Sequence, residues 1–355
     1  MRILHLLNHT RRMNGHVHAA VDLACAQAAL GHDVAVASGG GDFDRFLAAH
    51  AVETKIVNHE RKPGALIGGL LALHRVVRGW RADLVHAHMM TSAVLAWPIC
   101  KMSGIPLVTT VHNEFEKSSI LMGLGTRVIA VSAAVGQSME RRGVSRSKLD
   151  VVLNGTIGAA RFEGIDRKPH RLDCPAIIFV GGLHPRKGLP DLFTAFDAVH
   201  KRYPQARLYI VGDGPFRDTY VDLVNDLQCR TAVSFMGVHD NPFPFLKGAD
   251  IFVLPSHADP APLVLSEARE AGCAVVATNV DGIPELLENG KAGILIPPRD
   301  PIRLSETLCS LIESPESLQE WKSKSQLNLE HLRIERVARE TLEVYAAARS
   351  RLAKT

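Results

Sequence analysis

One repeated pattern restricts the fold of this chain more than any other feature. Short, continuous apolar runs rich in Val and Ile alternate with segments long enough for a helix. In the first half the runs are RILHLL (2–7), DVAVAS (33–38), TKIV (54–57), DLVHAH (83–88), PLVTTVH (106–112), RVIAVS (127–132) and VVLN (151–154). Helix-length segments lie at 16–30, 42–50, 64–79, 91–103 and 133–143, and Gly31 and Gly104 stand where helices should stop. Runs that are apolar on every residue belong to strands covered on both faces, and regular alternation with helices points to a parallel sheet. The stretch 155–175, GTIGAARFEGIDRKPHRLDCP, breaks the pattern with Gly, Pro and charge. The alternation then restarts with AIIFV (176–180), RLYIVG (207–212), AVSFMG (232–237), DIFVLPS (250–256), AVVAT (274–278) and GILIPP (293–298). Helices are expected near 189–203, 215–228, 241–249, 264–272 and 301–313, and the tail 316–352 reads as helical and charged.

The expected architecture is therefore α/β, with two doubly wound, Rossmann-like parallel-sheet domains facing across a cleft. Residues 1–160 form the first domain, 161–175 the linker and 176–335 the second domain. A C-terminal helix at 336–355 is expected to pack back on the first domain. In such sheets ligands bind beyond the carboxyl ends of the strands, so motifs at strand ends carry the functional reading.

The 355 residues suffice for two cores, and 46% apolar with 22% charged residues excludes a disordered chain. A net charge of +4 decides little about partners, and no motif asks for nucleic acid. Cysteines 25, 100, 174, 229, 273 and 309 form no CxxC pair and read as reduced thiols of a cytoplasmic protein. The apolar part of MRILHLLNHTRR is too short for a signal peptide, and ALIGGLLAL (65–73) is too short to span a bilayer. The segment 60–83 joins that apolar stretch to Arg61, Lys62, Arg75, Arg78 and Arg81. It suits peripheral contact with an anionic membrane face, or an ordinary domain helix with a charged outer side.

Several strand-end motifs are candidates for chemistry. HTRRMNGHVHAA (9–20) places Gly15 in a loop that opens a helix, as an anion site or a plain turn. FVGGLHPRKGLPDL (179–192) sets Arg186 and Lys187 before a helix start, where their charge opposes the helix dipole. A bound phosphate would compensate; the alternative is a solvated basic loop. IVGDGPFRDTY (210–220) is a tight turn with Pro215 at a helix start, mainly architecture. In SHADPAPLVLSEAREAGCAVVATNVDGIPEL (256–286), Pro260 and Pro262 stiffen a loop. The N–H groups of Leu263, Val264 and Leu265 are then expected to be free, with Glu267 in the first helical turn. Glu267 suits a vicinal diol and Asp259 another hydroxyl, or both acids simply favour a helix start. His86, His88 and His112 lie at carboxyl ends of strands, either as cleft residues or as satisfied structural imidazoles. No His, Asp or Glu spacing matches a metal motif, so no metal is assigned.

The order of these pieces resembles glycosyltransferase family 4, the glycosyl transferases group 1, retaining nucleotide-sugar-dependent enzymes of GT-B fold. The matching stretches include ALGHDVAVAS (29–38), VTTVHN (108–113), VIAVSAAV (128–135), VVLNGT (151–156), FVGGLHPRKG (179–188), LYIVGDGP (208–215), GADIFVLPS (248–256) and the block 263–300. The resemblance implies that Glu267 holds the donor ribose, Asp259 contacts the donor sugar and Lys187 neutralises its diphosphate. It likewise implies that His112 lies at the acceptor side, that Gly15 belongs to the amino-terminal glycine-rich loop, and that Met236 to His239, with Gly237 and Val238, read the base. Three positions depart from the family pattern. Asp259 replaces the usual glutamate and is about 1.5 Å shorter. Gly182 stands where an arginine is frequent, with Arg186 as a substitute cation. Ala261-Pro262 replaces Phe-Gly, so Pro262 offers no N–H.

The expected activity is metal-independent, retaining hexosyl transfer from a nucleoside diphosphate sugar, UDP favoured, to a hydroxyl of a glycan, glycolipid or small molecule. No cofactor is expected; the partners are the donor and a glycan or lipid-linked acceptor. A GT-B epimerase, a phosphorylase or a non-catalytic nucleotide-sugar-binding protein is the alternative. An oxidoreductase is disfavoured, since no strand is followed by GxGxxG and a distant acid.

Overall fold

A computed structural model describes residues 1–12, 14–57 and 63–352, without the side chains of 63–67 and 352. Its chain forms two compact units, Met1–Glu163 with His331–Thr355, and Gly164–Glu330. The second boundary differs from the expected one: 331–335 belong with the first unit, where Ile157 and Arg333 form a parallel bridge and the Ile334 N–H donates to Ile157 O at 2.9 Å.

The first unit holds β1 (Arg2–Leu6), β2 (Asp33–Ser38), β3 (Val52–Ile56), β4 (Leu84–Ala87), β5 (Leu107–Val111), β6 (Arg127–Ala130) and β7 (Leu149–Val151). The second holds β8 (Ala176–Val180), β9 (Arg207–Val211), β10 (Val233–Gly237), β11 (Ile251–Leu254), β12 (Ala274–Thr278) and β13 (Ile294–Ile296). The sheet orders are β3-β2-β1-β4-β5-β6-β7 and β10-β9-β8-β11-β12-β13, and every pair is parallel. Strand order reverses at β1/β4 and at β8/β11, the switch points where doubly wound sheets take ligands. Strands β5, β8 and β12 are buried at every residue, as their unbroken apolar runs demand.

Three elements depart from the sequence expectation. The edge strand β7 starts at Leu149 and ends at Val151, the first residue of VVLN; an edge strand with one polar residue has a weak apolar signature. The tail is two helices, Pro315–Ser325 and Ile334–Leu352, separated by a short 3-10 turn at Leu329–Leu332. The latter helix packs on the first unit, with the Tyr345 ring wholly buried. The helix after Pro215 starts at Arg217, and Gly212 and Gly214 serve close backbone contact instead: a Cβ there would stand 2.0 Å from Gly181 O and 2.6 Å from Leu183 O.

Among the described residues, no helix is long and apolar enough to cross a membrane. Of the basic 60–83 segment, residues 60–62 lie outside the described residues. The helix Pro63–Gly79 buries Leu73 and Val77 and exposes Arg75 and Arg78, the pattern of a domain helix with a wet outer side.

Candidate functional site

In the second unit the carboxyl ends of β8 and β11 bring together residues far apart in the chain. After β8 the backbone makes a 3-10 turn at Pro185–Lys187 and passes through Gly188 at φ +68°. A side chain at 188 would be strained, and its Cβ would stand 2.0 Å from Pro255 O, so glycine is what lets this loop press against the end of β11. The His257 N–H closes the contact by donating to Arg186 O at 2.7 Å. The turn aims Lys187 inward, where its Nζ donates to Asp259 Oδ2 at 2.5 Å; both residues are buried. Ser256 Oγ donates to the same oxygen at 3.2 Å, and the Asp259 N–H donates to Asp281 Oδ2 at 2.7 Å. Arg186 is exposed, 3.7 Å from Asp259 Oδ1. Burial, with the Asp259 charge adding to it, raises the Asp281 carboxyl above its ordinary range.

This arrangement changes one expectation. The Lys187 ammonium is not a lone cation awaiting an anion; Asp259 already neutralises and orients it. Arg186 is an exposed cation at this mouth. A second pair went unnoticed in the sequence: His257 Nε2 lies 2.6 Å from Asp191 Oδ2, in the first turn of the helix Leu189–Arg202. The signal available for it was an acid just inside a helix start that follows a basic loop.

The helix Leu263–Ala271 begins at this mouth, with Pro262 as N-cap and no side-chain cap. Leu263 and Val264 are its first two residues, whose N–H groups have no acceptor within the helix. The Leu265 N–H is engaged by Pro262 O at 3.2 Å, contrary to the expectation that it is free. Glu267 is buried but lies in the second turn, not the first, because the helix starts at Leu263. Arg269 fixes this helix from behind. Fully buried, it donates to Ser325 O (2.8 Å), Leu286 O (2.6 Å), Leu327 O (2.6 Å) and Glu288 Oε1 (2.8 Å). At the neighbouring strand end Gly237, at φ +72°, accepts the Gly212 N–H at 2.7 Å, and Val238 is exposed beyond it. Gly182 is half-buried, and a Cβ there would come 3.1 Å from the His184 ring.

In the first unit the corresponding mouth carries histidines. His5 on β1, His88 after β4 and His112 after β5 lie in hydrogen-bond sequence: His5 Nδ1 is 2.9 Å from His88 Nε2, and His88 Nδ1 is 3.0 Å from His112 Nε2. His5 Nε2 lies 2.8 Å from Gln27 Oε1. His86, expected at a strand end, sits inside β4; its ring nitrogens are 2.6 Å from Tyr345 Oη and 2.7 Å from Thr110 Oγ1. His86 and His88 are thus buried and satisfied, and His112 alone of the three is half-buried at the mouth. Burial pushes His5 down to about 4 and His112 to about 3, the latter helped by His16, so these rings are neutral near pH 7. His5, His86 and His88 cluster closely enough to suggest metal ligands, yet all their ring nitrogens already have hydrogen-bond partners. Gly15 opens the helix Gly15–Ala29, exposed, with no atom of the described residues within 4 Å of where a Cβ would stand. Beside it the His16 ring lies 6.2 Å from that of His112.

Known proteins share the sequence pattern and the fold of this chain. The model of the glycosyl transferases group 1 matches residues 162–327, and that of glycosyltransferase family 4 matches 13–156. The chain is similar to a glycogen synthase of Mycobacterium tuberculosis, 29% identical over 293 residues, covering 77% of this chain and 70% of that protein. It is also similar to a D-inositol 3-phosphate glycosyltransferase of Segniliparus rotundus, 27% identical, covering 68% of this chain and 60% of the relative. In fold it matches the crystal structure of Anabaena HepE in complex with UDP-glucose, with a TM-score of 0.82 at 20% identity, over 98% of this chain and all of the other.

Proposed function

Because this chain belongs to the glycosyl transferases group 1 and has the GT-B fold, we propose that it transfers a sugar from a UDP-sugar to an acceptor hydroxyl, with retention and without a metal. The observation that carries the reading is the buried Lys187–Asp259 pair beside the start of the helix Leu263–Ala271. As the sugar–oxygen bond breaks, negative charge accumulates on the departing diphosphate. The N–H groups of Leu263 and Val264 and the Lys187 ammonium form a fixed set of donors for that charge, held before the reaction starts. Asp259 holds Lys187 in place, and on donor binding its carboxylate meets a sugar hydroxyl. Arg186, exposed at the same mouth, supplies the cation that Gly182 does not. Glu267 accepts the two ribose hydroxyls. His112 serves the acceptor side as a neutral imidazole. The relatives that act on glycogen and on inositol phosphate support a hydroxyl acceptor.

One observation favours a second reading, a nucleotide-sugar-binding protein without transfer: Pro262 lacks the N–H that a glycine would offer to the diphosphate. Turnover separates the two. With a panel of UDP-sugars and acceptors, the transferase reading expects sugar transfer, and Lys187→Ala lowers kcat/KM about 10²- to 10³-fold, the loss typical of one fixed donor to a developing anion. Tight UDP binding with no sugar released under any acceptor supports the second reading, and unchanged rates in both Lys187→Ala and Glu267→Ala remove the site.

A further inference from the structure

We propose that Gln27, His5 and His88 form a directional hydrogen-bond relay that sets the tautomer of His112, leaving its Nδ1 as a lone-pair acceptor for a substrate hydroxyl. The relay rests on the reading of His112 as the acceptor-side residue. Its members lie on different elements of the first unit, and their burial does not follow from packing alone, since a core needs no row of three imidazoles. The distances are 2.8 Å from Gln27 Oε1 to His5 Nε2, 2.9 Å from His5 Nδ1 to His88 Nε2 and 3.0 Å from His88 Nδ1 to His112 Nε2. His112 Nδ1 has no hydrogen-bond partner among the described residues.

A neutral imidazole has one N–H and one lone pair, so each ring in such a row dictates the next. If Gln27 presents its carbonyl, His5 must carry its proton on Nε2 and accept at Nδ1. His88 then carries its proton on Nε2, and so does His112, which leaves His112 Nδ1 bare. If the Gln27 amide is turned over, every proton moves to the other nitrogen and His112 presents Nδ1–H instead. Tyr345 is part of the same choice. Its hydroxyl is 3.2 Å from Gln27 Nε2 and 2.6 Å from His86 Nδ1. With the Gln27 carbonyl on His5, the Gln27 N–H donates to Tyr345, the Tyr345 O–H donates to His86 Nδ1, and the His86 Nε2–H donates to Thr110 Oγ1, 2.7 Å away. Both polarities complete every hydrogen bond of this network. They differ in that the first puts all four histidines in the Nε2–H form, the intrinsically preferred tautomer of a substituted imidazole in water, and the second puts all four in the Nδ1–H form. The preference accumulates over four rings and selects the first polarity.

Gln27, His5 and His88 are positioning residues in this scheme; they touch no substrate. The test is nitrogen-15 NMR of histidine-labelled protein, in which the two tautomers have separate signals. In the wild type at pH 7, His112 is expected as the Nε2–H form, with Nδ1 at the shift of an acceptor. An Nδ1–H signal for His112 overturns the relay as stated. In His5→Phe, His88 loses its orienting partner, and His112 is expected to become a tautomer mixture. A His112 signal unchanged in that variant shows that the relay does not set it. In Gln27→Leu, kcat is expected to fall about tenfold, as for other losses of an orienting partner, with donor KM held. A parallel rise in donor KM assigns Gln27 to general folding instead. The spectra need no turnover, so a protein with the expected tautomer and no transfer retains the relay and loses only the proposed reaction.

Discussion

The two sheets share one strand order over six strands and differ in what they place at the switch point. The second unit uses charge: Lys187 on Asp259, Arg186 within 3.7 Å, His257 on Asp191, and behind them the buried guanidinium of Arg269. The first unit uses neutral polar rings: His5, His88 and His112 in a row, braced by Gln27 and Tyr345. A doubly wound sheet fixes where a ligand sits, not what it is. Fixed cations and main-chain donors suit a diphosphate. Uncharged donors and acceptors of set direction suit hydroxyl groups, which a charged mouth would bind less selectively.

The largest effect is expected from removing the charge that supports the second mouth. Arg269→Ala removes the donor to three main-chain carbonyls and to the Glu288 carboxylate. Loss of one partner from such a buried ionic set costs about 3–5 kcal/mol. Denaturant unfolding should show that loss; a change under about 1 kcal/mol would mean the helix Leu263–Ala271 is held by its apolar contacts alone.

Acid gives a smaller effect of opposite location. The folded-state pKa of buried His5 is depressed from 6.5 to about 4. The unfolded chain therefore binds more protons between those values, and stability is present above pH 6.5 and lost as pH falls toward 4. Each such imidazole contributes about 1.4 kcal/mol per pH unit inside that window. Melting from pH 7 to 5 should destabilise wild type more than His5→Gln. Equal slopes in both would show that His5 is not buried as a neutral ring.

Much of the fold was legible because continuous apolar runs announce doubly covered strands, and Asp33–Ser38 and Pro301–Glu313 were placed to the residue. The edge strand β7 was not, because three residues, one of them Asp150, leave a short apolar signature. Of the site, the residue types were legible and their pairings were not. Lys187 and Asp259 are 72 residues apart, and His86 and Tyr345 are 259 apart; no spacing rule reaches across either gap. The placing of Glu267 in the first turn failed for a local reason: Pro262 caps the helix one residue earlier than expected, which moves Glu267 into the second turn. Arg269 is invisible in the sequence because a buried guanidinium is rare, and three of its four partners are main-chain carbonyls that leave no mark on a sequence.

The role of Lys187 as a cation for a diphosphate is best measured by calorimetric titration with UDP and with uridine. The comparison is best made between Asp259→Asn and Asp259→Asn with Lys187→Met, so that no unpaired carboxylate is left to repel the ligand. The expected result is UDP affinity about 10- to 100-fold weaker on losing the lysine, the range of one charge-assisted hydrogen bond, with uridine affinity within about twofold. Equal UDP affinity in the two variants, or an equal loss for uridine, would contradict it.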